Sequence, residues 1–311
     1  MNMFSSDVFL GTLGEVYFAG RRCEPALFAV DGRVCRLLMV NGAPITRWQF
    51  VDFFEPLLAP GGPARALGYL PSVARETLSS EEWLTRLPTA GLSPSPFIAW
   101  ARFERWDDFA TRVSARCGNL VADSNRKRNK LARALGEVEL RLDDRRPETL
   151  ELGMKWKSAQ YLASGYDDLF ADAKNRRLFT ELHARDLVLV SSLSAGGKIV
   201  AVHLGASHEG RLYWWIPSYG PEFGKFSPGR LLLESLIQAS FERGDKEFDF
   251  LIGDEAYKWH YATHTRVIGS VGVPPLSLRI EAELKSRAKQ ALWGMPWLLE
   301  RWPQLKERAS R

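Results

Sequence analysis

Between residues 187 and 273 the chain alternates in a way that few folds accept. Three runs rich in β-branched and aromatic residues, at 187–193, 198–206 and 211–218, follow one another with only "AGG" and "SHEG" as joints. Joints that short make an antiparallel meander. A helix-patterned stretch follows at 228–243, then a strand at 247–252, a helical turn at 255–261 and a last strand at 267–273. A meander that passes through a helix into further strands is an α/β chain with a mixed sheet.

Upstream, 148–164 and 171–184 read as helices. Ser124 reads as the N-cap of a helix to Leu135 that Gly136 closes, with a strand at 138–142 after it. Arg126, Lys127, Arg128, Lys130 and Arg133 lie on that helix. A solvated face and an anion-binding surface both explain them. The first third holds strand-like runs at 15–19, 26–30 and 34–40, the last two joined by Asp31-Gly32, a strong hairpin signal. Helices are expected over 47–58, 79–87 and 106–116, and a strand over 97–102. The expected organisation is an N-terminal half over 1–120, a second domain over 121–276 and a basic, Trp-rich helical segment over 277–311.

Composition narrows the function classes. Forty-two basic against 37 acidic side chains give +5. That balance suits anionic ligands and is too weak to imply nucleic acid. The three cysteines have no metal-ligand spacing, and their odd number argues against a disulfide framework. No run approaches the roughly 20 apolar residues of a membrane span, and no signal peptide is legible, so a cytoplasmic protein is expected. Trp293, Trp297 and Trp302 among the basic residues of 277–311 suit a peripheral contact with the inner membrane. Packing against the N-terminal half is the alternative.

The most informative joint is "KFSPGRLLLESLIQASFERG". Ser227 suits an N-cap and Pro228 the first helical position. Gly229 leaves first-turn amides uncovered, and Arg230 adds a positive charge. Free amides and the positive end of the helix dipole favour an anion; a well-capped helix is the plainer account. Next comes "DFLIGDEAYKW", which leaves a buried strand through Gly253 into two acids, an aromatic and a lysine.

Together, "SPGRLLLESLIQASFERGDKEFDFLIGDEAYKW" resembles the signature of the CelD/BcsL-type acyltransferases of the GNAT superfamily, which are associated with exopolysaccharide and cellulose production and related to the Fem peptidyltransferases. Upstream, "KWKSAQYLASGYDDLF" and "GKIVAVHLG" also resemble family segments, covering Lys157, Gln160, Tyr161 and His203. The likeness is dense over 150–273 and thin over 1–120. It implies a GNAT fold with mixed sheets, as two GNAT-like halves. It implies acetyl-CoA or another acyl-CoA as donor and no metal. The pyrophosphate would sit at Ser227, Gly229 and Arg230, and the pantetheine arm along the strand holding Tyr213 and Trp215. The usual GNAT phosphate loop carries more glycine than "FSPGR", so other donors stay open.

N-acyl transfer needs a base for the acceptor, a polarised carbonyl and a proton for the departing thiolate. His203, Asp249 and Glu255 are candidate bases. Lys258 suits an acceptor phosphate or carboxylate, and Tyr257 could reprotonate the thiolate. A paired Asp249, a structural His203, a solvated Glu255, a surface Lys258 and a packing Tyr257 are the plainer alternatives. The reading is an acyl-CoA-dependent N- or O-acyltransferase whose acceptor is a sugar or amine of a polysaccharide precursor, nucleotide- or lipid-linked. Its rivals are a Fem-like transferase using aminoacyl-tRNA and a non-catalytic module that binds a nucleotide or scaffolds a complex.

Overall fold

A computed structural model describes residues 1–59, 61–86, 89–281 and 283. The chain opens with α1 (Asp7–Tyr17), β1 (Cys23–Val30), β2 (Arg33–Val40), β3 (Ala43–Pro44), β4 (Arg65–Ala66), β5 (Tyr69–Ser79), α2 (Ser80–Thr85) and β6 (Leu92–Ala99). Two helices, α3 (Trp106–Cys117) and α4 (Leu120–Leu135), lead to β7 (Val138–Arg141), α5 (Pro147–Ala163) and α6 (Ala173–Ala184). The meander is β8 (Val188–Ala195), β9 (Lys198–His208) and β10 (Arg211–Tyr219). It is followed by α7 (Pro228–Glu242), β11 (Glu247–Asp249), α8 (Ala256–Tyr261) and β12 (His264–Gly272).

Eight strands form one sheet in the order β5-β12-β6-β11-β10-β9-β8-β7, and β3-β2-β1-β4 form a second. Among the described residues, only β10 and β11 pair in parallel within the large sheet. The mixed α/β fold is therefore as expected. The first 120 residues are not confined to the small sheet, because β5 and β6 hydrogen-bond to β12 and β11.

The large sheet is buried on both faces. One core gathers Leu10 and Leu13 of α1, Met154 of α5 and Phe179 of α6 against Val190, Val202 and Ile216. The opposite core gathers Phe109 and Val113 of α3, Leu131 of α4 and Leu232 and Leu236 of α7 against Val200, Leu212 and Phe248. Central strands sandwiched this way read as apolar runs, which is why 187–218 was legible. The Asp31-Gly32 hairpin forms as expected, with both residues at positive φ and Val30 facing Arg33.

Three local readings change. Residues 15–17 end α1, where Phe9, Leu10, Leu13 and Val16 share a buried helical face. Residues 47–58 form no helix; Phe50 and Phe53 enter the first core while Phe54 bridges to Val73 of β5. Aromatics three and four apart imitated a helical stripe there. Ser124 lies inside α4, not at its cap, and its hydroxyl donates to Glu234 Oε1 at 2.7 Å.

Candidate active site

Parallel pairing of β10 with β11 lasts three residues, from Arg211–Glu247 to Tyr213–Asp249. Beyond it, β10 continues along β9 to Tyr219, while the other chain stays with β6 through Phe250 N to Pro96 O (3.0 Å) and Gly253 N to Pro94 O (3.0 Å). The two strands splay into a V. Two amides between those bonds are closed by carboxylates: Leu251 N donates to Asp249 Oδ1 at 2.8 Å, and Ile252 N to Asp52 Oδ2 at 3.3 Å. Backbone donors left unpaired in a buried place are costly, so these acids let the strand leave the sheet. Leu251 turns there at φ 59.

On the β10 side the V starts at a bulge, where the register slips between Tyr213 and Ile216. His203 builds that bulge. Its Nε2 accepts from Trp215 N at 3.1 Å and its ring stacks on Trp214, centroids 4.5 Å apart. A Cβ on Gly205 would lie 2.1 Å from the imidazole, so only glycine leaves room for it. Burial pushes the His203 pKa down to about 3. The ring is neutral and fully buried, fixing the bulge with no path to the V. Tyr213 is also enclosed, its hydroxyl accepting from Met3 N at 3.3 Å. Trp215 packs edge-on to Phe4 and Phe50 and tilted against Phe179. The Tyr213 side chain is thus not free to bind a ligand, whereas Trp215 keeps part of its surface exposed.

Asp249 likewise does not face the V. It is fully buried, with Oδ2 held by Arg266 Nη1 at 3.0 Å and Oδ1 by the Leu251 amide. Arg266 also pairs with Glu247 and Glu55, and Arg211 pairs with Glu55 at 2.8 Å and Glu247 at 3.1 Å. Burial lifts the Asp249 pKa, opposed chiefly by the Arg266 guanidinium.

The loop after β11 gathers a different cluster. Lys258 is buried, its Nζ donating to Ile252 O at 2.9 Å and Leu251 O at 3.4 Å and pairing with Glu255 at 2.9 Å. It clasps the loop instead of lying on the surface. A Cβ on Gly253, at φ 142, would collide with both Glu255 and Lys258. The Glu255 side chain is 56% exposed. Asp254 accepts from Trp259 Nε1 at 2.7 Å, and Tyr257 Oη accepts from Trp214 Nε1 at 3.1 Å, joining α8 to β10 across the V. Its oxygen already accepts, so its own hydrogen remains available to donate. Burial pushes that phenol up to about 12.

Asp52 is the residue that sequence reasoning missed. It arrives from the irregular segment 47–58 and binds the end of β11 from 200 positions away. Desolvation pushes its pKa up to about 6, with Asp249 and Glu255 adding and Ile252 N and Lys258 opposing. A carboxyl titrating near neutral pH is suited to proton transfer. One signal was available: a lone acid inside "QFVDFF" must be paired, exposed or functional.

At the far end of β10, Ser227 holds the start of α7 in a left-handed conformation and does not cap it with its side chain. Its hydroxyl takes a hydrogen bond from Lys127 Nζ at 2.7 Å. Its carbonyl takes the amides of Arg230 (3.0 Å) and Leu231 (3.2 Å), bonds in which the Gly229 amide has no share. The Arg230 guanidinium is paired with Asp123 of α4. The basic helix is therefore docked beside the α7 N-terminus, with Arg128 donating to Ser235 Oγ at 2.6 Å. Among the described residues no group of His, Cys, Asp and Glu could hold a metal, and no helix is long and apolar enough to cross a membrane. Of the segment 277–311, all but 277–281 and 283 lies outside the described residues.

Residues 119–259 match the family described as acetyltransferase (GNAT) domain. No curated protein matches the chain. FemX is similar in structure at 10% identity and TM-score 0.48, over 87% of this chain and 91% of that one. L-PGS from Bacillus licheniformis is similar at 12% and 0.46, over 90% and 91%. A GNAT family acetyltransferase from Brucella melitensis, in complex with acetyl-CoA, is similar at 14% and 0.32, over 45% of this chain and 90% of that one. The V of β10 and β11, with α7 starting at its open end, thus lies within the residues that match the GNAT acetyltransferase domain family.

Proposed function

We propose that the protein is an acyltransferase that moves an acyl group, acetyl foremost, from acyl-CoA to an amine or hydroxyl of a sugar in a polysaccharide or cell-envelope precursor, working in the cytoplasm. The observation that carries this is the V itself. At its open end it sets the start of α7 beyond β10, and beyond β11 the loop and α8 with Tyr257 and Lys258, to which Asp52 is bonded through Ile252. The acceptor nitrogen or oxygen attacks the thioester carbon and the carbon–sulfur bond breaks. Asp52 takes the acceptor's proton, and Tyr257 gives its proton to the thiolate. Lys258 and Glu255 hold the loop that presents both groups.

One observation favours a second reading, transfer from aminoacyl-tRNA. Two first-turn amides of α7 point back to the Ser227 carbonyl, which leaves few donors for a diphosphate. A melting series separates the two. Acetyl-CoA at 100 times its Kd should add about 2.7 kcal/mol of stability. If no acyl-CoA shifts the melt while aminoacyl-tRNA binds with a steep salt dependence, the acyl-CoA reading is overturned.

A further inference from the structure

A groove of about 950 Å³ opens on the same face of the molecule as segment 47–58. Its aromatic wall holds Tyr17, Trp48 and Tyr69, all part-exposed, and its polar rim includes Arg47, Gln49 and Lys174. Tyr17 and Trp48 meet edge-to-face with centroids 4.7 Å apart. Behind them Asn175 Oδ1 accepts from Tyr17 Oη and, at 2.7 Å, from Gln49 Nε2, which fixes the ring and the amide relative to each other. The Trp48 indole N–H is shut from solvent with no hydrogen-bond partner among the described residues. A buried donor left unpaired is costly, and a turn of the ring that brought it to a ligand oxygen would remove that cost.

One segment links the groove to the V. Val51 lines the groove, and the next residue, Asp52, carries the carboxyl that meets Ile252. Adjacent Cα atoms are about 3.8 Å apart, so the groove wall at Val51 and the residue carrying that carboxyl are next to each other in one segment. Two cations, Arg47 and Lys174, stand against the single acid Asp172, whose carboxylate already caps α6.

We propose that this groove binds the acceptor and that its ligand is a short saccharide chain, neutral or anionic; this rests on the acyl-transfer reading above. Pyranose rings present an apolar face to aromatic side chains and hydroxyls that both donate and accept. A pocket with aromatic walls and few placed polar groups has that complementarity. Turned to face the groove, the Trp48 N–H would supply a donor to a sugar oxygen, and the Gln49 amide can do both.

The test is calorimetric titration of the full chain, without donor, with N-acetylglucosamine oligomers, cello-oligosaccharides and oligogalacturonate. At least one should bind. Gln49→Ala, Lys174→Glu and Trp48→Phe, which retains the ring packing, should each weaken it about 10-fold or more, with unchanged melting and unchanged acetyl-CoA affinity in Gln49→Ala. The proposal is overturned if none of the three binds, or if all three variants bind as the wild type does. Saccharide binding in a protein that ignores every acyl-CoA would retire the donor reading and leave the groove standing.

Discussion

Two acid clusters meet at β11, and they differ in how completely their charge is answered. Upstream, Glu55, Glu247 and Asp249 face Arg211 and Arg266, with the Met1 ammonium 4.0 Å from Glu55. Every carboxylate there is held by a guanidinium. Downstream, the Lys258 ammonium pairs with Glu255 and acts on Asp52 only through its charge. A matched network buries its charges and is chemically quiet, because any proton it gained or lost would break a pair. In the second cluster desolvation raises Asp52 to about 6, with Ile252 N and Lys258 opposing and Asp249 and Glu255 adding to it. On the acyl-transfer proposal the contrast gives support to Asp249 and chemistry to Asp52, although both acids do the same local job of closing an amide beyond β11.

The largest effect should come from breaking the matched network. Asp249→Ala leaves Arg266 with one fewer partner and strips the Leu251 amide of its acceptor. Removing one member of a buried pair costs about 3–5 kcal/mol, so the melting temperature should fall by on the order of 10 °C for a chain of this size. Calorimetry or circular dichroism reads this directly. A melt like the wild type's, with activity lost, would move Asp249 into the chemistry and dissolve the contrast.

Asp52→Asn should act in the opposite sense. Turnover should drop about 100-fold or more, the ordinary range for a lost general base, while the fold gains stability. The folded pKa of about 6 lies above the usual carboxyl value. The native state therefore holds the proton more tightly, and the stability this gives is present at acid pH and lost as pH rises through about 6. The asparagine variant escapes that loss, so its melting advantage should grow between pH 4 and pH 7. In the wild type, kcat/KM should fall with unit slope below pH 6. A flat profile there, or a variant no more stable at pH 7 than at pH 4, removes Asp52 from the role.

How much of this was legible follows from the range of the interactions. The order of elements from β8 to β12 was readable because burial on two faces and helix-start residues are written locally. Tyr257, Glu255 and Lys258 were singled out for the same reason, sitting within one loop. What Asp249 does was not readable, since Arg266 is 17 residues away and nothing near "EFDFLI" announces it. Asp52 was hidden more deeply. Its partner is 200 residues distant, and its own segment carried a false helical stripe. His203 was conspicuous as a lone histidine in a strand, yet its task is to satisfy one bulge amide.

Lys258→Met sharpens the comparison from the basic side. Methionine keeps the apolar stem but loses the bonds to Leu251 and Ile252, a cost of about 1–3 kcal/mol. It also removes the one charge that lowers Asp52 from this cluster. The acid limb of the pH profile should therefore move to higher pH, with activity falling most at neutral pH and recovering in part at alkaline pH. An unmoved limb would mean that Lys258 clasps the loop without tuning the carboxyl.

Glu255→Gln is the mildest break and the most discriminating. The Glu255 side chain is more than half exposed, so its bond to Lys258 is worth about 0–1 kcal/mol and the melt should hardly move. Its charge, however, is among those that raise Asp52. With that charge gone, the cluster has one acid for one cation, the same balance that makes the upstream network quiet. The limb should then shift to lower pH, the reverse of Lys258→Met, and added salt should shrink the shift because this charge is screened. If charge balance decides which carboxyl does chemistry, these two substitutions must move one titration in opposite directions. A shared direction would show that loop geometry governs the site, not charge.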